Sequence, residues 1–126
     1  MRRSFLTLWG PFLAALAFIF WLSSMSTVPG TDHVWDKFLH AVGYAGLGTL
    51  AMRAFHGGFT RPRPGPTLYA GLAVILWAIS DEFHQSFVPG RDSSALDVVA
   101  DAVGFAISVV LLLAATRTGV PVKHTR

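Results

Sequence analysis

Apolar residues in this chain gather into four long runs, separated by short stretches rich in proline, glycine and charge. Each run has close to the roughly 20 residues with which a helix, rising 1.5 Å per residue, crosses about 30 Å of hydrocarbon. The first extends from about Phe5 to Met25 without a charge, with Trp9 and Trp21 near its ends, where interfacial aromatics belong, and Pro11 near its start. Arg2-Arg3 ahead of it also fit the basic region of a cleaved signal peptide. The run is long, however, and Ser23-Ser24-Met25-Ser26 makes a poor cleavage site, so a retained span is expected.

Pro29-Gly30 reads as a turn, and a second helix is expected from near Asp36 to near Phe55. Its first half carries Asp36, Lys37, His40 and Tyr44, and Gly43, Gly46 and Gly48 thin its surface, a density of small residues that suits close helix contact inside a bundle. Arg61-Pro62-Arg63-Pro64-Gly65-Pro66 predicts a basic loop, because proline removes donors and biases its predecessor to extended backbone. A third helix follows from about Thr67 to His84, then a tight turn at Val88-Pro89-Gly90-Arg91. Ser93 or Ser94 caps a fourth helix that reaches about Thr116, ahead of a basic tail. The expectation is an all-α, four-helix transmembrane bundle forming one domain over residues 1–126, with spans near 5–25, 36–55, 67–84 and 95–116.

Composition strengthens the membrane reading: 52% of the residues are hydrophobic, and the mean hydropathy of +0.51 exceeds that of ordinary soluble domains. The chain has no cysteine, which excludes disulfides, thiolate metal sites and cysteine nucleophiles. A pI near 10.0 invites a nucleic-acid reading. The basic residues form no patch, so no nucleic-acid partner is expected. Instead Arg2, Arg3, Arg53, Arg61, Arg63, Arg117, Lys123 and Arg126 flank the apolar runs on what four spans make one side, leaving only Lys37 and Arg91 on the other. By the positive-inside rule that places both termini in the cytoplasm. All seven carboxylates, and His33, His40 and His84, then fall on or just below the outer side.

Five of those carboxylates lie between Asp81 and Asp101, with His84, Gln85 and Arg91 among them. Charges beside hydrocarbon persist where they pair, face water or an interior, or carry a function. On the second helix Asp36, His40 and Tyr44 recur every four residues and share a face. Asp36 reads equally well as a helix cap and Tyr44 as an interfacial anchor, whereas an imidazole one turn below a carboxylate is arranged for proton or cation handling. On the third helix Trp77, Ser80, Asp81 and His84 share one stripe, and Glu82, Gln85 and Ser86 an adjacent one. Carboxylates at a helix C-terminus oppose its dipole, so capping does not explain Asp81 and Glu82.

Asp-Glu-x-His-Gln is not a zinc-protease motif; a divalent cation held by Asp81, Glu82, His84 and His40 is the weaker reading, and no other cofactor is expected. On the fourth helix Asp97 reads as an ordinary first-turn acid. Asp101 lies beyond the first turn among Val98, Val99, Val103 and Phe105, so it is either protonated or paired with Lys37, Arg91 or a charged His40. Lys37 and Arg91 either receive a ligand's phosphate or carboxylate or neutralise aspartates; seven acids against two cations favour neutralisation.

Taken together, Trp21-Leu22-Ser23-Ser24, Asp36-Lys37-x-x-His40-x-x-x-Tyr44, and Asp81-Glu82-x-His84-Gln85-x-Phe87-Val88-Pro89-Gly90-Arg91 followed by Asp97-Val98-x-Ala100 and Gly104 resemble the VanZ-like family of small bacterial membrane proteins. The resemblance covers roughly residues 21–104 and is carried by the joint order and spacing of these blocks. One departure stands out: the family pattern usually has Asn where this chain has Asp101. The resemblance implies an integral protein of the bacterial envelope whose founding members are associated with low-level teicoplanin resistance, without fixing a ligand.

The leading expectation is an outward-facing polar pocket lined by Asp36, His40, Tyr44, Asp81, Glu82, His84, Gln85, Arg91, Asp97 and Asp101, engaging a cell-wall or lipid-linked glycan component or a glycopeptide antibiotic. An enzyme is the second expectation: a hydrolase or transferase in which Asp81 or Glu82 acts as base, with His40 or His84 as its proton partner, on an outer-leaflet lipid phosphate or glycoside. No serine or cysteine nucleophile motif supports it. A proton or cation conduit is the third, opposed by the absence of titratable groups in the inner half of the membrane. Four short helices leave apolar surface in contact with lipid that a second copy could cover, so a homodimer is admitted.

Overall fold

A computed structural model describes residues 3–26 and 33–117, with residues 33–35 as backbone only. The expected Pro29-Gly30 turn, the side chains of Asp32 and His33, and Arg2, Lys123 and Arg126 lie outside the described residues. Four helices account for nearly all of the rest: α1 (Phe5–Ser23), α2 (His33–His56), α3 (Pro64–Gln85) and α4 (Ala95–Arg117). The described residues contain no strand.

The ends of these helices follow from local chemistry. Ser4 caps α1 by accepting the amide of Thr7 at 3.3 Å. Gly57 (φ 74°) ends α2, and Gly58 donates back to the Arg53 carbonyl at 2.9 Å while Gly57 donates to that of Ala54. This is the paired arrangement that a left-handed residue after the last turn permits. Ser94 takes the amide of Leu96 at the start of α4, and Arg91 donates to the Val88 carbonyl across a turn whose Gly90 has φ 80°.

Two boundaries depart from the sequence reading. α2 begins at His33, so Asp36 sits in its first turn and favours the dipole there; it is not the cap. α3 begins at Pro64, inside the segment read as a loop, because prolines in a first turn lack only amides that would have no helical partner anyway.

α2 and α3 form a central pair; each touches the other three helices, while α1 and α4 lie on opposite sides of the pair and do not meet. α2 and α4 run parallel and in register. Lys37 meets Asp97, and one turn later His40 meets Asp101. Deeper still, Gly104 packs on the backbone of Ala41 and Ala45, so closely that a Cβ there would collide with the Ala41 carbonyl and come within 2.9 Å of the Ala45 amide. Gly48 receives Phe105 and Ser108 in the same way. The glycines of α2 and α4 thus bring two backbones together, as small residues do between helices in lipid.

The core is small: Tyr44, Leu47, Ala51 and Met52 of α2, Ala70, Val74 and Ala78 of α3, and Phe12 of α1. Large apolar side chains point outward around the bundle, among them Phe18 and Phe20, Leu72, Leu76 and Ile79, and Val110 and Leu111. α1 and α4 are long and apolar enough to cross a membrane by length and composition.

Candidate functional site

Where the C-terminal ends of α1 and α3 approach the N-terminal half of α2, a cleft of about 290 Å³ opens. Ile19 and Leu22 of α1 and Leu39 of α2 give it apolar walls; Ser23, Asp36, His40, Tyr44, Asp81, Gln85 and Arg91 supply its polar groups. Each helix contributes through its own periodicity. Asp36, His40 and Tyr44 descend one face of α2, and Asp81 and Gln85 stand one turn apart at the end of α3. Arg91 enters from the turn that Gly90 makes possible.

The polar groups of this cleft are incompletely satisfied. The Tyr44 hydroxyl, the Ser23 hydroxyl and Asp81 Oδ1 are all buried and have no hydrogen-bond partner among the described residues. The other oxygen of Asp81 accepts from the Gln85 amide at 3.4 Å. The Ser23 hydroxyl stands beside the Asp81 carboxylate, near enough to act on it as a weak donor though outside good hydrogen-bond geometry. Buried polar atoms left this way cost roughly 1–3 kcal/mol each, which is why folded proteins contain few. All three belong to residues that line one cleft, just beneath its surface. Arg91 forms no ion pair among the described residues.

Of the ten residues expected to line a pocket, the cleft brings together Asp36, His40, Tyr44, Asp81, Gln85 and Arg91. Glu82, Asp97 and Asp101 lie instead on the α4 side of His40. Asp101 is 1% exposed and accepts from His40 Nδ1–H at 2.7 Å, while His40 Nε2 lies 3.9 Å from Asp36 Oδ1. Of the three partners open to Asp101, the fold selects His40. Asp97 is equally buried and paired with Lys37, so it is more than the ordinary first-turn acid its position suggests. Glu82 accepts the Ser94 amide at 3.0 Å and the Ser93 hydroxyl at 3.3 Å through Oε2, fastening the start of α4 to the end of α3. Its Oε1 is buried without a partner.

His84 faces elsewhere. Its ring stacks on Phe20 at 4.7 Å, and its Nε2 meets the Ser24 hydroxyl oxygen at 3.1 Å. The Ser24 proton is already given to the Phe20 carbonyl, so the histidine is the donor. His84 therefore ties α3 to α1, outside the cleft. The ligand set suggested by sequence, with Asp81 and His84 beside His40, is not the grouping that forms. Among the described residues, the groups whose ligating atoms come within 4.8 Å of one another are His40 with Glu82 and Asp101, and His40 with Asp36 and Asp97. Consecutive residues of α3 diverge by about 100° around its axis, which sends Asp81 toward α1 and Glu82 toward α4.

Sequence reasoning did not single out Ser23 as a site residue, although it lies in the Trp21-Leu22-Ser23-Ser24 block that carries the family resemblance. It also left Lys37 and Asp97 unpaired with each other. The signal was present: Lys37-x-x-His40 and Asp97-x-x-x-Asp101 are matching one-turn repeats of cation and anion.

Compared with known families, the chain matches the model of VanZ/LLP1 over residues 4–116. No match emerges among curated proteins or solved structures.

Proposed function

The chain belongs to the VanZ/LLP1 family, and two of its helices are long and apolar enough to span a bilayer; from that premise we propose that it is a four-span protein of the bacterial inner membrane whose cleft binds the headgroup of a lipid-linked glycan on the outer side.

Support for four spans comes from length and pairing. α2 and α3, at 24 and 22 residues, are long enough to cross. Much of the polarity that lowers their hydropathy is turned inward, onto α4 at Lys37 and His40 and into the cleft at Asp81 and Gln85. Support for the orientation comes from the cations. Arg3, Arg53, Arg61, Arg63 and Arg117 flank one end of the bundle, where Arg53 also donates to the Leu8 carbonyl at 3.0 Å. Lys37 and Arg91 belong to the other end. The positive-inside rule then turns the cleft outward.

The observation that carries the ligand reading is the trio of unpartnered buried atoms, on Ser23, Tyr44 and Asp81, within one cleft that also has apolar walls. Sugar hydroxyls can both donate to Asp81 and pair with the two side-chain hydroxyls, as neither a simple acyl chain nor an inorganic anion can. The guanidinium of Arg91, in no ion pair among the described residues, suits the linking phosphate. The volume, near the lower end of the roughly 300–1,000 Å³ usual for ligand pockets, has room for a single sugar ring.

The test is binding of a polyprenyl-diphosphate-linked sugar to the purified protein in micelles, with polyprenyl phosphate alone and the free sugar as comparisons. Saturable binding of the linked sugar, weakened about tenfold by Tyr44→Phe combined with Asp81→Asn, is the expected result, a change of about 1.4 kcal/mol. Equal binding of all three probes, or binding indifferent to the double substitution, contradicts the reading. A glycopeptide antibiotic belongs in the same assay as a competitor.

A second reading, a hydrolase or transferase on the same class of lipid, is favoured by one feature: His40 is held by Asp101 through one ring nitrogen and turned toward the cleft, as a general base is held. Release of phosphate or free sugar during the same incubation would establish it, and none would remove it.

A further inference from the structure

On the α4 side of His40 the fold gathers three buried acids: Glu82, Asp97 and Asp101 are each 5% exposed or less. The cationic partners supplied to them are the Lys37 ammonium, already engaged with Asp97, and the imidazole of His40. Grouped carboxylates in a low-dielectric interior need positive charge close by, whether from side chains, protons or an ion. Within this cluster a ring nitrogen of His40 and carboxylate oxygens of Glu82 and Asp101 all lie within 4.8 Å of one another. From that spacing, small side-chain adjustments bring all three atoms to the roughly 2.0–2.2 Å at which first-row metals bind nitrogen and oxygen.

A separate observation points to something that occupies this place. Glu82 is 5% exposed, and its Oε1 has no hydrogen-bond partner, although Oε2 is fixed by the amide of Ser94 and the hydroxyl of Ser93. The carboxylate is therefore rigidly aimed with one oxygen unused. Rigid ligands on three different helices, α2, α3 and α4, are what a bound ion needs and what a merely solvated acidic surface lacks.

We propose that His40, Glu82 and Asp101 form a site for one divalent transition-metal ion, which on binding takes the place of the proton that His40 Nδ1 otherwise gives to Asp101 and releases it to solvent. One imidazole and two carboxylates, with no thiolate, match manganese or zinc better than copper or iron–sulfur chemistry. Asp97 with its Lys37 sits next in register and balances the local charge. His40 is a wall of the cleft, so the ion can be reached from it. This inference does not depend on the ligand reading, since metal binding is measured with no lipid present.

The experiment uses the full chain in detergent micelles, stripped with chelator and titrated with Mn²⁺, Zn²⁺ and Mg²⁺ by calorimetry, with electron spin-echo measurements on the Mn²⁺ form. The expected result is one equivalent of Mn²⁺ or Zn²⁺ bound tightly, Mg²⁺ at least tenfold more weakly, and nitrogen coupling from one imidazole in the Mn²⁺ spectrum. Glu82→Gln weakens binding at least tenfold, and Asp92→Asn, an exposed control outside the cluster, leaves it unchanged. Failure of all three ions to bind saturably would show that protons alone balance the cluster and would overturn the proposal. So would bound Mn²⁺ without nitrogen coupling, a result that needs no variant to fold.

Discussion

The two ends of α2 each hold a histidine, and the fold treats them in opposite ways. His56 is buried with both ring nitrogens spent on backbone: Nδ1–H donates to the Met52 carbonyl at 2.9 Å, and Nε2 accepts the Arg63 amide at 3.0 Å. It staples the end of α2 to the start of α3. Around it the packing is aromatic, with Trp9 against Phe55 at 4.9 Å and Phe12 beside both. His40 spends one nitrogen on a buried carboxylate and turns the other toward Asp36 and a cleft with unpartnered polar atoms. Most polar groups at the His56 end are paired within the chain, with Thr60 Oγ1 a buried exception among the described residues, whereas the other end gathers several such groups around one cleft. Burial alone does not distinguish a structural histidine from a functional one; the partners do.

That contrast can be broken first at the seam that supports the polar end. Gly104→Val places side-chain atoms where the Ala41 carbonyl and Ala45 amide already stand. It is expected to cost about 3 kcal/mol or to prevent folding, as overpacking against backbone does. Thermal unfolding of the micellar protein measures it.

Next comes a paired substitution. Asp101→Ala leaves His40 without its carboxylate and is expected to lower stability by about 3 kcal/mol while abolishing metal binding. His56→Ala orphans the Arg63 amide and should cost about 2 kcal/mol with metal and lipid-linked sugar binding intact. If both variants lose binding in proportion to stability, the two ends are not functionally distinct.

A smaller effect is expected at Gly90, whose φ of 80° and Ser26 carbonyl neighbour both oppose a side chain. Gly90→Ala should cost roughly 1–2 kcal/mol and loosen the turn that carries Arg91. The smallest change in stability belongs to Arg91→Gln, expected to stay within about 0.5 kcal/mol, as surface substitutions do. Its predicted loss is instead in affinity for the linked sugar, about tenfold and equivalent to about 1.4 kcal/mol.

The four helices were legible in the sequence because apolar runs of span length leave few alternatives, and the interior place of α2 was legible in its glycines and polar half. The starts of α2 and α3 were not. His33 to Asp36 reads as polar loop, and prolines read as breakers, unless a first turn is recognised as the place where missing amides are harmless. The site was legible as a set of residues but not as an arrangement. Neighbours such as Asp81 and Glu82 are divided by rotation about α3, and the selection of His40 by Asp101 depends on the register of two helices brought together at Gly104. Neither rotation nor register follows from spacing within one segment. The match of Lys37-x-x-His40 to Asp97-x-x-x-Asp101 carried that register, but it could be read only with the two helices set side by side.

The central claim is that the incompletely satisfied end of the bundle faces away from the cytoplasm. The chain has no cysteine, so single cysteines at Arg91, beside the cleft, and at Arg61, at the opposite end, can be tested in intact spheroplasts with a membrane-impermeant maleimide. Labelling of Arg91→Cys in intact spheroplasts, with Arg61→Cys labelled only after lysis, is the predicted result; the reverse pattern would contradict the account.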